Sequence, residues 1–410
     1  MRGARRVVIC GAGIAGLTLA HRLAAANRDV VLVEQAPGPR EQGYMIDFFG
    51  PGYDVAERMG LLPRLRELGY VVEEAAWLDD DGRVRARLEY ARVERASGGR
   101  VMSLMRPDLE RALREKLPAT VDLRYATSVR AVDDRSECVR VGLTDGSQID
   151  ADLLVGADGI HSVVRRLVFG AEERFVRYLG FHTAAWVFHD PEVRAKVGPR
   201  FCLTDSTGRQ LGLYALRESK VAVFAVHRAT DPALPADPRA ALRAEYGSLG
   251  WVAPRVVDLA PESARIYYDQ VAQVELPRWS RGRVALVGDA CGAVSLLAGQ
   301  GASLGMAGAY VLADHVAAAP TVEAGLSAYE QAWRPLTEDK QRSARRLARW
   351  FLPRTRAELV VRRAALRLMA LPGTDRLLTG ALTGKPAPVP TAAATYPLGT
   401  GEAAGAQTGS

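Results

Sequence analysis

The sequence predicts an α/β fold: a Rossmann-like nucleotide-binding layer, interrupted by a β-rich domain and followed by C-terminal helices. Three observations carry this expectation. A strand, a glycine turn, a helix, a second strand and an acid follow one another over 6–34. β-type runs dominate about 172–281, and RVALVGDA at 283–290 then returns to the strand-then-glycine grammar.

In the first unit, Val7, Val8 and Ile9 form a short apolar run that reads as a buried strand. Gly11 permits the tight turn, Gly13 lets backbone amides approach a pyrophosphate, and Gly16 lets the helix beginning near Ile14 pack on the strand. The helix start offers unpaired amides and partial positive charge. A second apolar run over 30–33 ends at Glu34, where a carboxylate can accept hydrogen bonds from a ribose. Together these residues point to a dinucleotide, FAD or NAD(P).

A Pro/Gly-rich connector follows, then expected helices at 53–59 and 62–68 and strands at 71–78 and 84–90. Pro107 marks the first turn of a helix running to about Lys116. Alternating segments near 121–125, 128–132 and 139–143 read as antiparallel strands, with Asp145-Gly146 as a turn. The run 152–155 reads as another buried strand leading into GADGIHSVVRR, where Ser162 can cap the next helix. β-rich runs at 183–188, 210–216 and 221–227 belong to the second domain. After Gly288-Asp289-Ala290 come Gly299-Gln300-Gly301 and a helix from near Ala302. A carboxylate at a strand end can accept from a ribityl hydroxyl, and a helix start can face a flavin carbonyl.

A chain of 410 residues, 48% hydrophobic and 25% charged, can bury an ample core and suggests two or three domains. Its apolar runs all fall short of the roughly 18 residues of a membrane span. The N-terminus enters the first strand without a signal peptide's pattern, so a cytoplasmic location is expected. Cys10, Cys138, Cys202 and Cys291 are scattered without metal spacing or a CxxC pair, which argues against a metal site or a disulfide framework. The net charge of +7 is spread widely and carries no nucleic-acid motif, so no nucleic-acid partner is expected. The basic stretch 342–367 reads as a helix, a break at Pro353 and a second helix, with apolar faces from Leu347, Trp350, Phe351, Leu359 and Val360. Packing on its own domain with arginines in water is favoured over contact with an anionic membrane. The tail from about Gly384, rich in Pro, Ala, Gly and Thr, is expected to be disordered.

The order of these motifs resembles the para-hydroxybenzoate hydroxylase family of single-component FAD monooxygenases. The likeness runs to about Ala370 through GAGIAG with Glu34, Arg106-Pro107-Asp108-Leu109, GADGIHSVVR and GDACGAVSLLAGQGASLG. The stretch GYMIDFFGPGYDVAERMGL is also similar to tetracycline-inactivating and antibiotic-tailoring members, which implies an aromatic or polycyclic substrate. The resemblance implies a domain order of FAD-binding layer over 1–171, substrate sheet over 172–281, FAD-binding layer again over 282–330, helices over 331–383 and tail over 384–410. It places Gly11, Gly13, Ala15, Gly16, Glu34, Arg106, Asp158, Asp289, Gly299, Gln300 and Gly301 at FAD. It further implies that NADPH or NADH reduces the flavin transiently, that O2 adds at C4a, and that the hydroperoxide passes one oxygen to the substrate.

Members commonly carry histidine where Gly292 stands and prolines near Ser295 and Leu296, so more room near the flavin is expected here. The second domain's sheet is the expected substrate wall, with His182, Tyr214, Arg217, His227, Tyr267 and Tyr268 as candidate contacts. Alternation does not decide which of them face the ligand. Enzymes that share the FAD motifs but reduce an isoprenoid or polyketide, or that perform Baeyer–Villiger or epoxidation chemistry, are the alternatives to a hydroxylase.

Overall fold

The computed structural model describes residues 4–40, 43–295, 299–369 and 389–390. Its first layer is a six-stranded sheet in the order Ser280–Arg281, Val284–Leu286, Leu153–Gly156, Arg6–Cys10, Asp29–Val33, Asp122–Arg124. All pairings are parallel except that of the Ser280–Arg281 edge. Val7, Val8 and Ile9 at its centre are fully buried, as expected of an apolar strand covered on both faces. The chain passes from Arg6–Cys10 to Asp29–Val33 on one side and later returns to Leu153–Gly156 on the other. The first strand therefore marks a topological switch point, and ligands of such sheets bind beyond the strands' carboxyl ends. Gly11, Glu34, Ala157 and Gly288 all lie at or just beyond those ends.

The second sheet has seven strands, in the order Tyr267–Val274, Val176–His189, Lys220–Arg228, Arg209–Ala215, Arg200–Thr204, Glu74–Leu78, Val84–Glu89. Its last two strands come from the first 171 residues, so the sheet reaches beyond the expected 172–281 span. Helices Pro191–Val197, Pro238–Tyr246 and Ala253–Asp258 pack one face over Trp186, Leu211, Leu213 and Val223. The opposite face meets Met45 and Met105 of the first layer through Tyr214, Leu216 and Ala222.

The sequence reading left 45–49 inside a connector, yet Met45–Phe49 pairs antiparallel with Val101–Met105. This ladder forms where the two layers meet, and local pattern does not announce it. The expected strand over 84–90 ends one residue early, because Tyr90 opens the helix Tyr90–Ala96. Helix Val322–Phe351 stops before Pro353 and Arg356–Met369 follows, as the break at proline requires. In the last helix Leu359 is buried as expected, but two arginines are drawn inward as well. Arg362 and Arg363 point inward to the carboxylate of Asp205, at 2.8 and 2.5 Å, while Val360, Val361 and Leu368 face outward. Of the tail expected to be disordered, Val389 is buried in the core of the first layer, and the rest lies outside the described residues. Among the described residues no helix is long and apolar enough to cross a membrane, and no cluster of metal-ligating side chains occurs.

Candidate active site

Close packing at the first turn leaves no space for side chains. A Cβ on Gly16 would stand 1.8 Å from the Gly11 carbonyl oxygen, and one on Gly11, at φ +106°, would meet the Ala157 carbonyl at 2.5 Å. The helix Ile14–Ala25 thus starts directly beneath the strand end, with Gly13 as its N-cap and no side chain capping it. Its free amides face outward, where an anion complements both the donors and the helix dipole. Glu34 accepts hydrogen bonds from the Ala12 and Ala36 amides, each at 2.9 Å, which pins its carboxylate beside this turn. Two accepted bonds leave further lone pairs for ribose hydroxyls.

Arg106 opens the helix Arg106–Glu115, and the Gly13 Cβ position would lie 3.9 Å from its guanidinium. It pairs with Glu110 at 2.9 Å; Arg106 is 30% exposed and Glu110 8%. Burial pushes the Glu110 carboxyl upward and the adjacent Arg106 charge opposes it. The same guanidinium acts on Asp289, whose carboxyl is also raised by burial and drawn back by Arg106. Arg106 thus stands beside the glycine turn, and its charge is felt at Asp289.

Asp289 follows Gly288, whose φ of +65° turns the chain off the strand Val284–Leu286. A Cβ on Gly301 would lie 3.9 Å from its Oδ1, so the start of helix Gly301–Ala318 stands beside the carboxylate. Gln300 occupies the N-cap position without a side-chain cap bond, and Gly299 takes φ +64°. Ser303 donates to the Phe49 carbonyl at 2.6 Å and accepts from the Gly52 amide at 2.8 Å, tying this helix to the strand Met45–Phe49. On the opposite wall the Tyr44 ring lies 5.9 Å from Tyr267 and 6.1 Å from Phe224. Burial holds Tyr44 as a neutral phenol, pushed up to about 12.

Other expected site residues do structural work. Asp158 accepts from the Ser162 hydroxyl at 2.5 Å and the Val164 amide at 3.1 Å, so its carboxylate caps the helix that follows it. Gly292 lines the same small cavity as Asp289 and Gly301, and a Cβ there would be 2.7 Å from Thr337 Cγ2 and 3.3 Å from Trp279. His182 and His227 are paired across neighbouring strands on the helix-covered face, in ring contact with Tyr268, and His227 is linked to Tyr246 at 3.0 Å. Burial lowers His227 to about 4, keeping it neutral. Strand alternation thus directs both histidines and Tyr268 away from the groove, whereas Tyr267 and Tyr214 face it. Arg217 stacks on Tyr70 at 4.3 Å and donates to the carbonyls of Glu67, Leu68 and Gly69, closing the end of helix Leu62–Leu68.

The sequence reading missed Tyr44, His161 and Asp47. Tyr44 lies beside the paired site residues. His161 bridges the layers, 2.9 Å from Glu172 and 3.3 Å from Asp269, and these carboxylates raise it to about 9. Fully buried Arg165 links Glu172 to the Ala290 carbonyl, at 3.1 and 3.0 Å. The residues of GADGIHSVVRR carried this signal, but Asp269 and Ala290 lie over a hundred positions away. The third is Asp47, which accepts from Ser103 at 2.6 Å and Tyr90 at 2.8 Å.

A parallel sheet with a glycine turn, an acid-ended second strand and an arginine beside the turn defines a dinucleotide-binding protein. Comparison with known proteins agrees. A family described as FAD binding domain matches residues 4–343, and the chain belongs to that family. FAD-dependent monooxygenase asL6 of Sarocladium schorii is 30% identical over 371 residues, covering 82% of this chain and 86% of that protein. The 3-amino-4-hydroxybenzoate 2-monooxygenase of Streptomyces cremeus is 31% identical over 358 residues, covering 84% and 87%. The crystal structure of tetracycline destructase Tet(51) shares the fold with a TM-score of 0.77 at 23% identity, covering 92% and 98%. The protein is an enzyme of the FAD-dependent monooxygenase type.

The residues present fit FAD. The uncapped amides at Gly13, the Arg106 charge beside them and the Asp289 acceptor match a pyrophosphate flanked by ribose and ribityl hydroxyls.

Proposed function

We propose that this enzyme consumes NAD(P)H and inserts one oxygen atom from O2 into an aromatic or polycyclic substrate held between the two sheets. The observation that carries the reading is the grouping at the strands' carboxyl ends: the uncapped glycine turn with Glu34 and Arg106 beside it, and Asp289 beside the start of helix Gly301–Ala318. Glu34 holds the adenosine ribose, while Gly11, Gly13 and Arg106 hold the phosphates. Ala15 and Gly16 allow the helix its close approach, Asp289 takes the ribityl chain, and Gly299, Gln300 and Gly301 border the ring. Asp158 supports this site through its helix cap. When bound, reduced FAD activates O2 for transfer.

The chain's own residues set the conditions for that transfer. The Tyr44, Phe224 and Tyr267 rings supply an apolar wall that orients a planar substrate and excludes water. The first layer over 1–171 and 282–330, the substrate sheet built mainly from 172–281 and the helices beyond 331 act as the corresponding domains. The relative acting on 3-amino-4-hydroxybenzoate and the tetracycline destructase structure support an aromatic or polycyclic substrate. The test is to incubate the yellow holoenzyme with NADPH, labelled O2 and a panel of aromatic polyketides. One labelled oxygen per product is expected. Unlabelled, reduced product under anaerobic conditions would instead establish a reductase.

A further inference from the structure

We propose that Asp47 is the specificity-determining polar anchor of the substrate cleft, and that it selects neutral rings bearing a hydroxyl donor over benzoate-type anions. This rests on the monooxygenase reading above and refines its substrate. The strand Met45–Phe49 begins next to Tyr44, beside Tyr267 and Phe224, and ends where Phe49 is tied to Ser303 of the Gly301–Ala318 helix. Both ends thus border the proposed flavin site. Met45, Asp47 and Phe49 share one face by strand alternation, opposite Met105, Ser103 and Val101. That face looks at the substrate sheet, where Met45 and Met105 pack with Tyr214.

Within it Asp47 is the acceptor for two hydroxyls. Tyr214, stacked on Phe201 with ring centroids 4.0 Å apart, stands beside Tyr90; Tyr90 and Ser103 both donate to the Asp47 carboxylate. Two of the carboxylate's roughly four acceptor sites are therefore used. Asp47 also remains partly exposed. Burial pushes the Asp47 carboxyl up and the Ser103 and Tyr90 hydrogen bonds hold it down; ionised, it offers a ligand a negatively charged acceptor.

Of the arginines bordering the same wall, Arg106 is assigned above to the FAD phosphates and Arg217 donates to three backbone carbonyls. A substrate carboxylate would be repelled by the Asp47 charge. A phenolic or enolic hydroxyl gains a charge-assisted hydrogen bond.

The test measures binding of naphthol, its methyl ether and hydroxynaphthoate to the full-length FAD-loaded protein through perturbation of flavin absorbance. Wild type is expected to bind naphthol about tenfold or more tighter than the other two. Asp47→Asn is expected to erase that ratio while retaining FAD. Tyr90→Phe, which removes a donor but leaves the carboxylate, is expected to keep it. Tighter binding of hydroxynaphthoate, an unchanged ratio in Asp47→Asn, loss of the ratio in Tyr90→Phe, or failure of wild type to bind any of the three overturns the proposal. Binding is scored apart from turnover, so naphthol bound through Asp47 but never oxygenated would refute the monooxygenase reading alone.

Discussion

Replacing Arg106 with Gln tests its assignment to the FAD phosphates most directly. The guanidinium stands 3.9 Å from the Gly13 Cβ position, within side-chain reach of a phosphate bound over that amide. Losing one charge-assisted hydrogen bond costs about 1.5–3 kcal/mol, which predicts FAD binding weakened about tenfold to hundredfold. A second cost comes from the protein itself. Glu110, 8% exposed, loses the cation 2.9 Å away, and an unsatisfied buried acceptor destabilises by about 1–3 kcal/mol. The double variant Arg106→Gln/Glu110→Gln separates the two, because it removes the stranded carboxylate while leaving the phosphate contact missing. Flavin-fluorescence titration of apoprotein gives the FAD Kd, and thermal melting of the same apoprotein gives stability. The expected double variant regains most of its Tm but still binds FAD weakly. If Tm recovers and FAD affinity equals wild type, Arg106 is a helix-start ion pair and its assignment to the phosphates fails.

Gly16→Ala places a methyl 1.8 Å from the Gly11 carbonyl, so it should yield colourless or aggregated protein, and normal FAD content after purification would contradict the packing. Gly292→Ala should lower Tm by overpacking against Thr337, a cost of about 1–3 kcal/mol, without altering the flavin spectrum; a spectral shift with unchanged Tm would make Gly292 a flavin contact instead. His161 is raised to about 9 by hydrogen bonding to Asp269 and Glu172. Its folded value exceeds its unfolded one, so the contribution is full below about pH 6.5 and fades as pH rises through about 9. Wild type should therefore lose more Tm than His161→Gln between about pH 7 and pH 10, and parallel curves would exclude this contact.

The cofactor half of the molecule was legible from local order. Gly11 and Glu34 follow strand ends directly, Gly13, Gly16 and Asp289 lie within a few residues of one, and a parallel sheet brings its carboxyl ends to one edge. Residues identified that way depend only on their neighbours in the chain, since close approach of Gly16 to Gly11 is a matter of five positions. Arg106 was legible too, through Pro107 and the helix it begins.

The substrate half was decided by tertiary packing. Tyr267 and Tyr268 are adjacent in sequence, and only the sheet's orientation sends the first to the groove and the second to the helix-covered face. The same parity removed His182 and His227 from the site. Asp47 was hidden because its partners, Tyr90 and Ser103, come from two separate elements, and Asp158 and Gly292 gained structural partners once Val164 and Thr337 were placed beside them. A glycine turn is specified by backbone sterics within a few residues, whereas which face of a strand meets a ligand depends on what covers the other face.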